Sequence, residues 1–472
     1  MEPERWRFGG GATETVLHPL VLLAMLLAAI AMLCLPRRFR IATFLFATIL
    51  IPSGQQILVA GVHVFIYRLI VLTGCIGIII AKKRPASVLA GGWNSIDKAF
   101  LLYVFCHVAA FCLLYSDAAA VINQIGYIWD YVGGYIVLRY LIRNEGDVTT
   151  AIKCFAYLAV ILAVCMVREQ VTGQNAFGLL GGVRLVSQVR DGRIRSEGVF
   201  QHAILAGTFG ATLMPLLLWL WKAGKAKGLS FCGVVASAVM VLTTACSTPL
   251  MAYGAGILGI CFWPFRRRMR IVRWGLVIVL VALSLAMKAP VWALIERIDL
   301  VPGSSSYHRY QLVDQFIRHF GDWWLLGTKF NAAWGNEMID TSNAYVEEGT
   351  GGGIFALICF LAMITCCFYR LGTARKAARG FDPSRDWLFW LLGASLFAHI
   401  IAFFGIFYFD QTRVAWFALL AMVSAATSMP FARPMNTVSS RLSRDSSALH
   451  PLTLDPQAKV GQGILSAADQ NG

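Results

Sequence analysis

Apolar runs of about 17–20 residues recur along almost the whole chain, and each is long enough for a helix to cross the hydrocarbon of a bilayer. A segment in that environment has no water to bond, so it must satisfy its own backbone N–H and C=O groups, which a helix does. A membrane β-barrel would show short alternating segments instead, and none occur. The runs predict an all-α polytopic membrane bundle of about 12–13 transmembrane helices. They fall at roughly 16–35, 41–59, 62–80, 98–115, 121–141, 151–168, 203–221, 229–246, 249–265, 272–289, 346–369, 386–404 and 413–429. A short amino-terminal segment, residues 1–15, precedes the bundle of residues 16–429, and its polar opening Met1–Ala12 shows no cleavable signal. Residues 430–472 gain Pro, Ser, Asp and Gln and lose long apolar runs, so a disordered cytoplasmic tail is expected there.

Of the 472 residues 58% are hydrophobic and 14% charged, fewer charges than a soluble domain carries. The net charge of +16 does not point to nucleic acid, because the basic residues are sorted by side. One set of short loops holds Arg37, Arg38 and Arg40; Lys82, Lys83 and Arg84; Arg139 and Arg143; Lys222, Lys225 and Lys227; Arg266, Arg267, Arg268, Arg270 and Arg273; and Arg370, Arg375, Lys376 and Arg379. Basic loops of this kind stay inside and meet anionic lipid headgroups, which places the amino terminus outside and the tail inside. Pro52, Ser53 and Gly54 interrupt the second span, so a re-entrant segment there would change the count. Two outward loops break the bias, residues 168–202 and 290–345. The first carries Arg168, Arg184, Arg190, Arg193 and Arg195 with Glu169, Asp191 and Glu197. The second carries Arg297, His308, Arg309, Arg318, His319, Lys329 and Asp340. Arginines kept outside against the usual bias point to a site for anions such as diphosphates.

Arg195 heads a segment running through Glu197 to His202 and directly into a span. A guanidinium offers a phosphate two parallel hydrogen bonds and stays charged at any physiological pH. The plainer alternatives are an arginine that reaches lipid headgroups or pairs with Glu197. In the second loop, Leu312, Val313, Phe316, Ile317 and Phe320 recur at helical spacing, which predicts an amphipathic helix over Tyr307–Phe320. Ser304, Ser305 and Ser306 are N-cap candidates, and Trp323 and Trp324 read as an interfacial anchor. Arg309 then lies near a helix N-terminus, an end that favours anions. Asp340, Ser342, Asn343, Tyr345, Glu347 and Glu348 cluster just before Gly349–Gly353. One of these carboxylates can serve as a general base, or they neutralise the outer arginines. Asp130 and Arg68, both within spans, suggest an intramembrane pair that is structural or lines a groove; His107 and His399 read as bundle residues. The 12 Cys lack metal-ligand spacing, and no nucleotide-binding loop is present, so neither a metal nor a cofactor is expected.

Three short stretches, in order, resemble the O-antigen ligase and O-antigen polymerase superfamily of bacterial surface-polysaccharide enzymes. They are Arg195-x-x-Gly198-x-Phe200-x-His202, then Ser306-Tyr307-His308-Arg309 followed by an amphipathic helix and Leu326-Gly327, then Asp340-Thr341-Ser342-Asn343-Ala344-Tyr345 with Gly352-Gly353 after it. The resemblance implies a metal-independent, inverting membrane glycosyltransferase of the bacterial inner membrane with its site facing the periplasm. Its donor would be a glycan on undecaprenyl diphosphate, and its acceptor a second lipid-linked glycan or a lipid A core. Membrane lipids and other polysaccharide-assembly proteins are the further partners implied, and nucleic acid is not. Arg195 and Arg309 match the positions that hold the diphosphate, with His202, His308, Ser342, Asn343, Tyr345 and Glu347 around the substrate. Ligases of that family usually carry a His where Ser342 stands, so the resemblance implies a polymerase before a ligase and leaves the base to Asp340, Glu347 or Glu348, with His308 behind them. A transporter or flippase is the reading from another class, although no inverted repeat is visible.

Overall fold

A computed structural model describes residues 15–59, 62–81, 87–222, 226–296, 306–335 and 338–428. Lys82, Lys83, Arg84, Lys225, Arg297, Ser304, Ser305, residues 1–14 and the 430–472 tail lie outside the described residues. The chain begins with α1 (Pro19–Cys34) and α2 (Arg37–Leu50), the hairpin β1 (Gln56–Val59) and β2 (Val62–Phe65), and α3 (Ile66–Ile79). Then come α4 (Ser95–Tyr115), α5 (Ala118–Ile128), a π-helical turn at Trp129–Gly133, α6 (Gly134–Leu141) and α7 (Glu145–Thr172). A second hairpin, β3 (Gln188–Arg190) and β4 (Arg193–Arg195), leads into α8 (Ala203–Lys222), α9 (Lys227–Thr243), α10 (Ser247–Cys261) and α11 (Met269–Ala286). The chain closes with α12 (Ser306–Arg318), α13 (Phe320–Trp323), α14 (Ala344–Ala378), α15 (Pro383–Ala402) and α16 (Thr412–Ser428).

Helix α8 is the centre of the bundle, with every residue from Ala203 to Leu217 buried. Small residues let its neighbours come close: a Cβ on Gly207 would meet Pro249 of α10, and one on Gly210 would meet Met240 of α9. Among the described residues five helices, α4, α7, α8, α11 and α14, are long and apolar enough to cross a membrane. Helix α11 has no buried residue, and Ile271, Trp274, Ile278 and Leu285 are all exposed on it. A helix apolar on every side is what a lipid environment accommodates.

The other apolar helices are shorter than the runs suggest. The second and third expected spans do not continue through 51–65. Helix α2 stops at Leu50, two residues before Pro52, and the chain turns into the β1–β2 hairpin, leaving α2 and α3 with 14 residues each. Gln56 also bonds Val16 in both directions, at 3.0 and 3.1 Å, so the hairpin's edge is paired by the segment before α1. The expected helix over 307–320 is present as α12. Trp323, expected at an interface, is buried instead: its ring stacks on Phe316 at 3.9 Å, while Trp324 is exposed.

The helices alternate in direction and give the bundle two distinct ends. One end gathers ion pairs: Arg139–Asp97, Arg37–Asp147, Arg375–Asp386 and Arg385–Glu145. The opposite end gathers both hairpins, the N-termini of α8, α10, α14 and α16, and α12. It holds Arg195, His202, His308, Arg309, Asp340 and Ser342.

Candidate functional site

The first arginine is delivered by a tight hairpin. Asp191 and Gly192 adopt positive φ, 50° and 73°, as a two-residue turn between twisted strands requires. Register then pairs Arg190 with Arg193 and Gln188 with Arg195. Beyond the strand the chain is pinned: Ser196 N donates to Thr243 O at 3.1 Å, and Ser196 Oγ to Met166 O at 3.1 Å. Glu169 organises the turn that follows. Its buried carboxylate accepts from Glu197 N at 3.0 Å, Gly198 N at 2.9 Å and Ser187 Oγ at 2.9 Å. Gly198 needs φ of 59° to present its amide this way. In the sequence Glu169 is one acid among several, and no motif marks it.

Arg195 is 6% exposed, and its Nη2 donates to Cys246 Sγ. Among the described residues no carboxylate lies within ion-pair distance of it, and its Nε has no hydrogen-bond partner. Glu197, the expected alternative partner, sits 3.8 Å from the exposed Arg184 instead. A thiol is a weak acceptor, so no direct ion pair closes this buried guanidinium. Cys246 is the N-cap of α10 and makes no side-chain cap bond.

The neighbouring groups titrate accordingly. Burial pushes the Glu197 carboxyl up to about 7, against the pull of Arg184 and Arg195 and with help from Glu169. Burial, then Arg195 and Arg184, push His202 down to about 4. The ring is therefore neutral at ordinary pH, and its Nδ1 accepts from Ile204 N at 3.2 Å at the start of α8.

Arg309 comes from a separate part of the chain. It lies one turn before Leu312 on the inward face of α12 and is buried, whereas His308 beside it is half-buried. Phe316 of α12 and Trp323 of α13 dock this segment on α14 at Gly349, where a Cβ would collide with the Phe316 ring and crowd Trp323. Gly353, with φ of 68°, breaks α14. The groups freed by the break are met by the segment after α12: Thr328 N donates to Thr350 O at 2.8 Å, and Ile354 N to Trp324 O at 2.8 Å. The Leu326-Gly327 and Gly352-Gly353 pairs thus lock together, since a Cβ on Gly327 would strike Thr350 O. Burial raises the pKa of the Cys246 thiol, and the Arg195 and Arg309 guanidiniums act on it in the opposite direction.

The third motif divides between the site and the scaffold. Asp340 is exposed and acts electrostatically on His202; its Oδ1 accepts from Ser342 Oγ at 2.5 Å, and its carbonyl lies 3.1 Å from His308 Nε2. Glu347 accepts from Thr341 Oγ1. Asn343 caps α14 by accepting from Tyr345 N at 2.9 Å and Val346 N at 3.2 Å, and it donates to Phe404 O at 3.3 Å. Tyr345 donates to Ile400 O at 3.0 Å. Glu348 faces α4: Tyr103 donates to its Oε1 at 2.7 Å, and His107 Nδ1 lies 3.3 Å from its Oε2 without hydrogen-bond alignment. Arg195, His202, Arg309, His308, Asp340 and Ser342 therefore surround one end of the bundle, while Asn343, Tyr345 and Glu348 bond between helices.

Asp410, on the loop before α16, adjoins this region without a sequence motif. Its carboxylate accepts from Gln201 N at 3.2 Å and Thr412 N at 2.9 Å, and burial pushes its pKa up. Arg68 and Asp130 form the anticipated pair, two-pronged at 2.9 and 3.1 Å. Among the described residues no group of three or more His, Cys, Asp or Glu side chains is arranged to hold a metal ion. The chain matches no protein-family model and no curated protein.

Proposed function

We propose that this chain is a membrane-embedded glycosyltransferase that polymerises oligosaccharide repeat units carried on undecaprenyl diphosphate, at the outer face of a bacterial inner membrane. One observation carries the reading: Arg195, on β4, is buried with its Nε unpartnered and no carboxylate within ion-pair distance among the described residues. A diphosphate supplies the missing negative charge. The resemblance of the three ordered motifs names the carrier.

In this reading the acceptor hydroxyl attacks the anomeric carbon of the donor sugar from the face opposite the diphosphate. A new C–O bond forms, the C1–O bond to phosphate breaks, and the anomeric centre inverts. Asp340 takes the hydroxyl proton, with Ser342 and His308 holding it in place. The electron pair of the broken bond goes to undecaprenyl diphosphate, whose growing charge Arg195 and Arg309 stabilise. His202 stays neutral beside Arg195, so its other ring nitrogen can donate to the anion or the sugar without competing for it.

Arg195→Ala and Arg309→Ala, each expressed in cells making the polymer, are expected to leave single repeat units, with unchanged protein in the membrane. Full-length polymer from both variants would remove the reading.

A further inference from the structure

The ion-paired end carries a cluster of rings and cations that the candidate site leaves unused. Trp263, in the turn after α10, lies edge-on to Trp387 and Trp390 of α15, with ring centroids 4.8 and 5.8 Å apart. Trp390 Nε1 donates to Gly259 O at 2.9 Å, which fixes α15 against α10. Basic side chains lie over these rings. The Arg266 guanidinium is 3.9 Å from the Trp263 ring centre, and that of Arg375 is 4.6 Å from Trp390. The ammonium of Lys222, the last residue of α8, is 5.9 Å from Trp387. Indole faces attract cations, so the rings gather charge from three separate elements.

One carboxylate serves two of the three cations. Asp386 lies 2.9 Å from Arg375 Nε and 3.5 Å from Arg266 Nε. Lys222 has no carboxylate within ion-pair distance among the described residues. Glu145 and Asp382, the acids nearby, are engaged by Arg385 at 3.2 and 3.5 Å. Three cations against Asp386 alone leave an excess of positive charge, and it is open to the surroundings: Lys222 is exposed, and the Arg266 side chain is 25% exposed. Lys222 and Arg375 stand in the last turns of α8 and α14, two helices long enough to cross a membrane. The cluster therefore sits at headgroup level, where tryptophan also gathers. Trp221 and Phe265, each next in the chain to one of the outer cations, are 50% and 54% exposed and give it an apolar rim.

We propose that Lys222 and Arg266, held by this tryptophan cluster, form a headgroup site for one anionic phospholipid. Its phosphate lies against the two outer cations, while Arg375 stays paired with Asp386 behind them. The acyl chains take the apolar rim, which a soluble phosphate would leave bare. Basic loops attract anionic lipid in a diffuse way. Here the indoles and Asp386 fix the cations before the lipid arrives, which turns that attraction into a site for a single molecule. The inference is separate from the function proposed above.

The test titrates the full chain, in a neutral detergent, with phosphatidylglycerol and counts retained lipid by native mass spectrometry. One phosphatidylglycerol per chain is expected to be held in preference to phosphatidylcholine. Each basic side chain at an anionic lipid surface is worth about fivefold in affinity, so Lys222→Gln with Arg266→Gln should weaken retention by roughly 25-fold. Arg375 still closes Asp386 in that variant, so this end of the bundle keeps its ion pair. Arg270→Gln with Arg273→Gln removes the same charge from the exposed helix α11 and should leave retention nearly unchanged. Equal weakening by the two double variants would show diffuse attraction alone and overturn the site, as would equal retention of phosphatidylcholine by the unaltered protein. Glycerol phosphate, which has the phosphate and no acyl chains, should not displace the lipid at millimolar concentration. Displacement would overturn the lipid and make a soluble phosphate the ligand.

Discussion

The two ends of the bundle bury the same kind of residue and treat it in opposite ways. Arg139, at the ion-paired end, is 0% exposed and meets Asp97 twice, Nε to Oδ1 at 2.8 Å and Nη2 to Oδ2 at 3.0 Å. Tyr135 donates to the same carboxylate at 2.5 Å, and Asp97 accepts Asn94 N in the capping box that starts α4. One carboxylate answers the charge and caps the helix there, although Arg139 Nη1 has no hydrogen-bond partner among the described residues. Arg195, at the hairpin end, is nearly as buried and meets a thiol and a helix N-terminus. Burial alone therefore says little about what an arginine is for. The missing counter-charge separates a strut from a binding group, since a buried charge left alone is costly unless something else completes it.

The largest effect that would sharpen this contrast is on polymer formation. Removing one positioned donor to a developing negative charge typically costs about 10²–10³-fold in turnover, so Arg195→Gln should lower polymer synthesis by at least that much. Its thermal midpoint should hold or rise, because a like-charge conflict at α10 is relieved. Arg139→Met should do the reverse. It strands Asp97 in the interior and should cost roughly 3–5 kcal/mol of stability, seen as loss of folded protein from the membrane, with remaining protein still active in proportion. Thermal midpoints in nanodiscs, read beside polymer yield per folded molecule, decide it. If both arginine variants lose stability equally, the two ends do not differ and the contrast fails.

A milder contrast lies in pH dependence. Glu197 has its carboxyl raised from 4.5 to about 7. Between those values the folded protein holds a proton that the unfolded chain has released, so this group's contribution to stability falls as pH rises through the window and is level above 7. His202 is lowered from 6.5 to about 4, and its contribution rises over that range. Glu197→Gln should remove the falling limb and stabilise the protein at pH 8 by about 2 kcal/mol, part of the full shift being screened by water around the exposed Arg184. An Asp147→Asn control at the ion-paired end breaks the bond to Arg37 and should destabilise at that pH. Denaturation midpoints at pH 5 and pH 8 would separate the two, and a loss of stability at pH 8 in Glu197→Gln would contradict the buried-acid account.

Much of the fold was legible because it follows from spacing. The apolar runs, the amphipathic pattern of Leu312 and Phe316, and the Arg68–Asp130 pair were each readable in the residues and are each present. The β1–β2 hairpin was half legible: Pro52, Ser53 and Gly54 mark the break in the second span, but the apolar residues on either side of them read as membrane span and not as strands. Asp191-Gly192 was a readable turn signal that a membrane reading passes over. The candidate site was half legible. Arginines and carboxylates attract notice in a loop. Glu169, Cys246 and Asp410 do not, since their roles depend on which backbone amide or guanidinium the fold brings beside them. Glu348 and Asn343 show the converse: residues conspicuous in the sequence whose bonds tie α14 to α4 and to the segment after α15.

The smallest effect gives the most closely matched comparison of the two ends. Gly92 and Gly192 hold nearly equal φ, 72° and 73°, and a Cβ on either meets nothing within 4 Å. Replacing each by Ala therefore introduces the same strain, about 1–2 kcal/mol for an L-residue in the left-handed region, with no clash to confuse it. Gly92 accompanies Arg139, whose Nη2 reaches its carbonyl at 3.5 Å, and the turn feeds the capping box of α4. Gly192 makes the turn whose strand ends at Arg195. Similar losses in thermal midpoint are expected from both, but only Gly192→Ala should also lower polymer yield per folded molecule, because a shift in the hairpin moves the guanidinium against α10. Equal yields from the two variants would mean that the hairpin is a connector, and that the position of Arg195 is set by Glu169 and Ser196 alone.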